Sequence, residues 1–380
     1  MTTLQFTKWF FFVALTFIAL TSLQYPIRKR VSLTARIILV LIKFALACAI
    51  AAIVMATNTW MAWRGSFFFG ALYVALMGDT IASILICLYL IVRSALHQNP
   101  SVKNQLLISA ICTLLFFLYG TINMQIVRAR PIGVESEKLI NTYRVVFVAD
   151  LHVGSSQSLE TSKEIIRKIQ NENADFVILG GDITDEYTTK EEMEEIYNMF
   201  GDFDTPTYFV YGNHDRQPNA HLANGPTYTE EELAHALEKN GIIVLDDKWI
   251  PIAEDFILMG RDDISTGVER IPIEEIPPRP EGKYVLLVDH SPYIVDDTVK
   301  SRADLQLSGH THAGQLFPLQ YLYNITGFDA YGFYLHGYTD TFVSAGASGW
   351  SFPFRTEEHC EYNVITFSQP NNHAPKIENP

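Results

Sequence analysis

Four long apolar stretches dominate the first third of the chain, at 9–25, 33–56, 67–92 and 105–123. Each approaches or exceeds the roughly 20 residues a helix needs to cross the hydrocarbon core of a bilayer. The pattern predicts a bundle of four transmembrane helices within residues 1–128. The first stretch has a long apolar region, only Lys8 before it and further spans after it, so it reads as a retained helix and not as a cleaved signal. Apart from Arg36 at the start of the second span, two charges interrupt the spans. Lys43 lies about two turns into the second and is expected to snorkel towards the basic side. Asp79 lies near the middle of the third, where a carboxylate is costly and needs a partner or a function.

Beyond residue 128 the periodicity changes. Residues 129–142 read as a juxtamembrane linker, and 143–367 as one soluble domain. Tyr143–Ala149 is a short β-branched and aromatic run that suits a buried strand, as are 176–179 and 207–211. Amphipathic helices are predicted at 159–172, 189–200 and 229–240, the last stopped by Gly241. Strands then follow at 242–245, 248–252, 255–260, 284–288, 304–307, 341–344 and 362–367. Alternating strands and helices giving way to strands suggest a layered α/β sandwich rather than a single parallel sheet. Pro272–Pro280 reads as a surface loop, and 368–380 as a disordered tail.

Charge sharpens the division. Of 28 Lys and Arg and 42 Asp and Glu, eleven bases and one acid fall before Pro131, leaving 17 bases against 41 acids in the remainder. A lipid-embedded part and a water-soluble part account for this. The acidic soluble part argues against a nucleic-acid partner, because backbone binding relies on clustered Lys and Arg. Arg28, Lys29, Arg30 and Arg36 between the first two spans, with Arg93 and Lys103 between the last two, lean the soluble domain to the extracytoplasmic side of a multi-pass cell-membrane protein. The four cysteines offer no disulfide framework or zinc motif.

Candidate chemistry sits where the predicted strands end. Asp150-Leu-His152 closes the first strand, Gly-Asp182 the second and Gly-Asn213-His214-Asp215 the third. Asp289-His290 and Gly-His310-Thr-His312 follow later strands. Any one of these pieces is commonplace, but five in order, each just after a strand, form a specific constellation. Mixed carboxylate, amide and imidazole donors suit Mn, Fe or Zn better than Ca or Mg. With one bridging carboxylate they suit a pair of divalent ions.

These motifs resemble those of the calcineurin-like metallophosphoesterases: Asp-x-His, Gly-Asp, Gly-Asn-His-Asp, an isolated His and Gly-His-x-His. The resemblance covers about 143–367. It implies a four-layer αββα sandwich beside the helical bundle and two divalent ions as cofactors. It also implies that Asp150, His152 and His312 hold one ion, that Asn213, His290 and His310 hold the other, and that Asp182 bridges both. His214 would then be the catalytic histidine that protonates the leaving oxygen or binds phosphate, with Asp215 orienting it. The implied reaction is in-line attack of a metal-bridging hydroxide on a phosphoester or pyrophosphate.

The arrangement of spans before the domain is similar to the transmembrane branch of that family, which makes a phosphorylated small molecule or lipid-linked envelope compound the expected substrate. Pyrophosphatases of the UDP-2,3-diacylglucosamine type are an alternative, although those typically carry Arg where His214 stands. Gly346–Arg355 resembles the Gly-rich closing stretch of the membrane-tethered branch, with Ala345 where that stretch usually has Arg. A non-catalytic sensor or binding module on the same fold is the remaining alternative.

The aromatic segment 317–338 either packs a satellite core or meets the membrane interface. His221, His235, His336 and His359 have no motif context and read as surface residues.

Overall fold

The computed structural model describes residues 10–21, 32–56, 63–154, 156–220, 225–263, 270–293, 295–350 and 353–370. The ends of the first predicted span, Arg28–Arg30, His221 and the last ten residues of the tail lie outside the described residues. The chain divides into two compact units. One comprises Met1–Asn123 with Leu316–Leu319 and Ser351–Thr356; the other holds Met124–Gln315, Gln320–Trp350 and Glu357–Pro380.

The first unit contains α1 (Phe10–Thr21), α2 (Leu33–Ala56), α3 (Trp63–Ala95) and α4 (Val102–Gln125). Among the described residues three helices, α2, α3 and α4, are long and apolar enough to span a membrane. Over its described residues α1 is a shorter apolar helix, so three candidate spans stand among the described residues where four were predicted. Lys43 does not snorkel. Its Nζ lies 2.6 Å from Asp79 Oδ2 and 3.0 Å from Ser83 Oγ, while the Ser109 hydroxyl donates to Asp79 Oδ1 at 3.0 Å. These contacts tie α2, α3 and α4 together. A Cβ on Gly78 would sit 2.6 Å from Thr113 Cα, so only glycine permits α3 and α4 to approach this closely.

The two short segments that join this unit are also specifically held. The Tyr73 hydroxyl donates to Phe317 O at 2.8 Å, and Arg355 N–H donates to Gly120 O at 3.0 Å. Phe354 packs against Gly120.

The second unit is built on two six-stranded sheets. The first runs β1 (Val127–Glu135), β12 (Cys360–Ser368), β2 (Tyr143–Val148), β3 (Phe176–Leu179), β4 (Thr207–Phe209), β5 (Ile243–Val244). The second runs β10 (Gly332–His336), β11 (Thr339–Val343), β9 (Leu305–Ser308), β8 (Tyr284–Val288), β7 (Phe256–Gly260), β6 (Lys248–Pro251). Side chains alternate across each strand. Val145 and Phe147 of β2 pack with Leu258 of β7 and Leu286 and Val288 of β8, forming the core between the sheets. Val146 and Val148 point the other way, into a core with Ile165 and Ile169 of α5 (Leu159–Gln170) and Ile196 and Phe200 of α6 (Lys190–Gly201). Leu233 and Leu237 of α7 (Glu230–Lys239) complete that layer. The capping-box sequences at Thr189 and Thr229 start α6 and α7.

The opposite outer face, Ile257, Met259, Val285 and Leu287, is covered thinly by Ile273 and Ile276. A 3-10 turn there (Ile273–Glu275) contacts α8 (Val295–Ser301). The fourth layer is therefore slighter than the implied αββα arrangement.

Three elements differ from expectation. The first half of the predicted linker 129–142 belongs to β1, an edge strand in parallel register with β12 from Val127↔Cys360 to Glu135↔Ser368. Pro131 and the two arginines hid it, because proline is tolerated only where a strand has a free edge. The aromatic segment, to which no element was assigned, contains α9 (Leu319–Thr326) and β10. Within it Ile325, Leu335 and Tyr338 are exposed, so a simple satellite core does not describe it.

Candidate metal centre

β2, β3 and β4 run parallel, as do β8 and β9 in the facing sheet. Their C-terminal ends therefore open on a common edge within each sheet, where loops can present functional groups. Asp150 and His152 follow β2, Asp182 follows β3, and Asn213, His214 and Asp215 follow β4. His290 follows β8, and His310 and His312 follow β9.

The structure gathers these residues into two clusters. Asp150, His152 and His312 form one, and Asp182, His290 and His310 the other; the donor atoms in each lie within 4.8 Å of one another. Asp182 Oδ2 is 3.0 Å from His290 Nε2 and 3.8 Å from His152 Nε2, so one oxygen faces histidines of both clusters. Asp150 Oδ1 is 3.5 Å from His312 Nε2 and 3.9 Å from His290 Nε2. The Asn213 amide oxygen lies 2.6 Å from His310 Nδ1.

The imidazoles are oriented from behind. His290 Nδ1 donates to Gly180 O at 2.8 Å and His312 Nδ1 to Ser348 O at 3.1 Å, while His152 Nδ1 lies 3.2 Å from Asp185 Oδ2. Placing the proton on Nδ1 leaves Nε2 as a lone pair aimed into the site, the usual preparation of a metal-binding histidine. The Nε2 atoms of His152 and His290 are buried and make no hydrogen bond. Buried polar atoms are rarely left unsatisfied, and a divalent ion is what this donor set fits.

The backbone is strained around the same point. Asp150, His152, Asp182, His310 and His312 all have positive φ, between 44° and 71°. Non-glycine residues there cost on the order of 1–3 kcal/mol each, and such strain concentrates at functional sites. Gly181 has φ +90°, and a Cβ on it would sit 2.7 Å from both His290 Nδ1 and Gly212 N. Glycine is required there for the strand ends to meet.

His214 and Asp215 are placed differently from each other. His214 N–H donates to Asp182 Oδ1 at 2.8 Å. Asp215 was expected to orient the His214 ring, yet its carboxylate accepts the N–H groups of Asp182, Ile183, Thr184 and Gly212 at 2.7 to 3.1 Å. It ties the β3 and β4 turns together and has no capacity left for the imidazole. Glu186 takes that place, with Oε2 2.7 Å from His214 Nδ1. Trp350 stacks on the other side, its ring 4.1 Å from the His214 ring and inclined by 26°.

Burial alone would lower the His214 pKa, but the carboxylates of Glu186 and Asp182 push it up to about 9 in the metal-free protein. Burial also opposes ionised Asp182, but the His290 and His214 imidazoles hold it well below the usual carboxylate range.

Glu186, Asp185 and Trp350 were not singled out individually in the sequence. Trp350 lies in the Gly-rich stretch 346–355, which was; the acids after Asp182 carried no local signal. Ala345 is buried, with its N–H on Glu361, and Arg355 is buried within the helical unit. His336 and His359 are half-buried, the former bonded to Asp329, while His235 is exposed.

The calcineurin-like phosphoesterase family profile matches residues 143–314. An uncharacterized metallophosphoesterase of Helicobacter pylori is 26% identical over 233 residues, covering 58% of each chain. A transmembrane protein with metallophosphoesterase domain from Danio rerio is 28% identical over 296 residues, covering 70% of this chain and 63% of its own. The chain thus spans about three-fifths of the length of these relatives. A solved dimetal phosphatase from Danio rerio aligns over 54% of this chain and 87% of its own, with 10% identity and a TM-score of 0.34. Residues 143–314 thus match the calcineurin-like phosphoesterase family, and the relatives to which the chain is similar carry metallophosphoesterase domains.

Proposed function

We propose that this protein is a membrane-anchored phosphoesterase with two divalent ions that hydrolyses a phosphoester or pyrophosphate bond in an amphiphilic, lipid-linked compound. The observation that carries this reading is the pair of buried donor clusters meeting at Asp182, with the Nε2 atoms of His152 and His290 left unsatisfied. Asp150, His152 and His312 would hold one ion, Asn213, His290 and His310 the other, and Asp182 would bridge them; Mn, Fe and Zn match the donors. When bound, such ions lower the pKa of water and neutralise charge on phosphate oxygens. The chain's own residues position them and supply the proton. His214, bonded through its backbone to Asp182 and through Nδ1 to Glu186, is placed to protonate the departing oxygen.

The amphiphilic substrate is supported by an apolar wall beside the second cluster. The Tyr293 ring meets His310 edge-on at 5.1 Å and Phe328 at 5.5 Å. Phe328, Tyr321, Ile325 and Tyr338 expose large apolar surfaces, the kind of surface that marks ligand or membrane contact. His214, in place of Arg, weighs against the UDP-2,3-diacylglucosamine pyrophosphatase alternative. Spans α2, α3 and α4 supply the anchor, and the flanking bases favour an extracytoplasmic domain.

The test is hydrolysis by detergent-solubilised protein, stripped with chelator and reloaded with Mn or Zn. Phosphorylated lipids are set beside soluble nucleotides and bis(4-nitrophenyl) phosphate. Turnover that returns with metal and is fastest on a lipid phosphate is expected. Turnover indifferent to chelation would sink the enzymatic reading, and preference for the soluble esters would sink the lipid one.

A further inference from the structure

Three carboxylates crowd the side of the centre on which His214 sits, and the structure separates their tasks. Asp215, the chain neighbour, is saturated by four backbone N–H groups and also accepts the Thr184 hydroxyl. Asp185 is divided between His152 Nδ1 and the N–H of Tyr187 at 2.8 Å. Glu186 alone reaches the catalytic imidazole. Its Oε2 is 2.7 Å from His214 Nδ1, and its Oε1 accepts Asn219 N–H at 3.3 Å. Both side chains of the pair are nearly excluded from solvent, at 4% and 3% exposure, so water competes little for the contact.

The ring's face is fixed as well as its edge. Trp350 lies stacked on His214 and tilted against His152 at 5.1 Å. Trp350 is itself held by Gln315, whose amide oxygen accepts Trp350 N–H at 2.7 Å and whose amide nitrogen donates to Trp350 O at 3.0 Å. One contact sets the direction of Nδ1 and the other the plane of the ring. The remaining ring nitrogen, Nε2, has its orientation determined by these two.

We propose that Glu186 and Trp350 are the positioning residues of His214: Glu186 holds Nδ1–H, Trp350 holds the ring plane, and together they present Nε2–H to the leaving oxygen. This rests on the hydrolase reading above. In the step they serve, a water oxygen forms the new bond to phosphorus and releases its proton to solvent. The bond from phosphorus to the leaving oxygen breaks, and that oxygen takes the Nε2 proton of the His214 imidazolium. Neutral His214 keeps its Nδ1 proton on Glu186 and regains the other from solvent. Neither residue touches the reacting atoms.

A positioning role of this kind depends on the leaving group, because a good leaving group needs little protonation. The experiment measures kcat and KM of full-length, metal-loaded protein on a 4-nitrophenyl phosphodiester and on an unactivated alkyl phosphodiester. For Glu186→Gln, kcat on the alkyl ester is expected to fall on the order of 100-fold, with a roughly tenfold smaller loss on the 4-nitrophenyl ester and KM nearly constant. Trp350→Ala should show the same selectivity, Trp350→Phe should restore part of it, and Glu186→Asp should recover part of the Glu186→Gln loss. Asp185→Asn, acting through His152, should slow both esters alike. Equal losses on both esters for Glu186→Gln, or none, would overturn the proposal.

A measurement without turnover separates this from failure of the hydrolase reading. Thermal unfolding of Glu186→Gln, His214→Asn and the double variant should show Tm shifts that do not add, as for groups in contact. Additive shifts would overturn the pairing even in an active enzyme. Non-additive shifts in a protein inactive on every ester would keep the pairing and discard the hydrolase.

Discussion

Each of the two regions buries a carboxylate, and the two are handled in opposite ways. In the helical unit Asp79 is 1% exposed and is met by the Lys43 ammonium on one oxygen and the Ser109 hydroxyl on the other. In the second unit Asp182 is also 1% exposed, and it faces the Nε2 atoms of His290 and His152 at 3.0 and 3.8 Å, with Asp150 close behind. Burial of a charge therefore does not mark a site. Asp79 answers opposite charge among α2, α3 and α4, whereas Asp182 belongs to a set of carboxylate and imidazole donors that converges on a point. A satisfied buried charge specifies how helices pack; an unsatisfied convergent set specifies an ion.

The comparison can be broken most directly at Asp182. Asp182→Asn should reduce kcat on the order of a thousandfold, the loss of several kcal/mol of transition-state stabilisation, with one bound ion fewer by elemental analysis. Full activity and two ions in this variant would end the claim that Asp182 bridges.

At Asp79 the expected loss is in stability. Asp79→Leu strands Lys43 and should destabilise the helical unit by about 3–5 kcal/mol in detergent, whereas adding Lys43→Met should return most of it. The kcat of the folded fraction should not change. A fall in kcat with stability intact would show that Asp79 is functional after all.

A smaller effect is expected behind the metal. Asp185→Asn weakens the support of His152 and should lower metal affinity about 10–100-fold by calorimetric titration. An unchanged affinity would mean that the His152 ring is held by packing alone.

The smallest effect tests whether satisfaction, and not location, is what matters. Asp255 is a buried carboxylate in the second unit that accepts the Tyr143 hydroxyl and the Ile140 and Asn141 N–H groups. Burial would raise its pKa, but these donors hold it below the usual value. A folded pKa below the unfolded one contributes stability above about pH 3.9 that is lost as pH falls through the folded pKa. Asp255→Asn should cost about 1–2 kcal/mol at pH 7, with the deficit shrinking on acidification and activity retained. A deficit independent of pH would show that Asp255 acts through packing.

The sequence made much of this legible. The strands from 143 to 148, 176 to 179 and 284 to 288 stood out because a buried strand must be continuously apolar. The helices at 159, 190 and 230 stood out because their apolar stripes, and the Gly241 stop of the last, are local properties. β1 was missed because its conformation is dictated by pairing with β12, more than 220 residues away. The ligand motifs were visible because each is a short run at a strand end. Their sorting into two clusters, and the backbone strain at five of them, depend on strands from two different sheets.

The sequence by itself thus determined an apolar, base-rich segment followed by an acidic α/β domain, and which side chains could bind metal. Those are consequences of composition and of periodicities shorter than one element. Only the tertiary structure decided that Lys43 answers Asp79, that Asp215 braces two turns, and that Glu186 and Trp350 hold His214. A carboxylate's partner is whichever donor the fold brings within about 3 Å, and nothing in the order of residues states which one arrives.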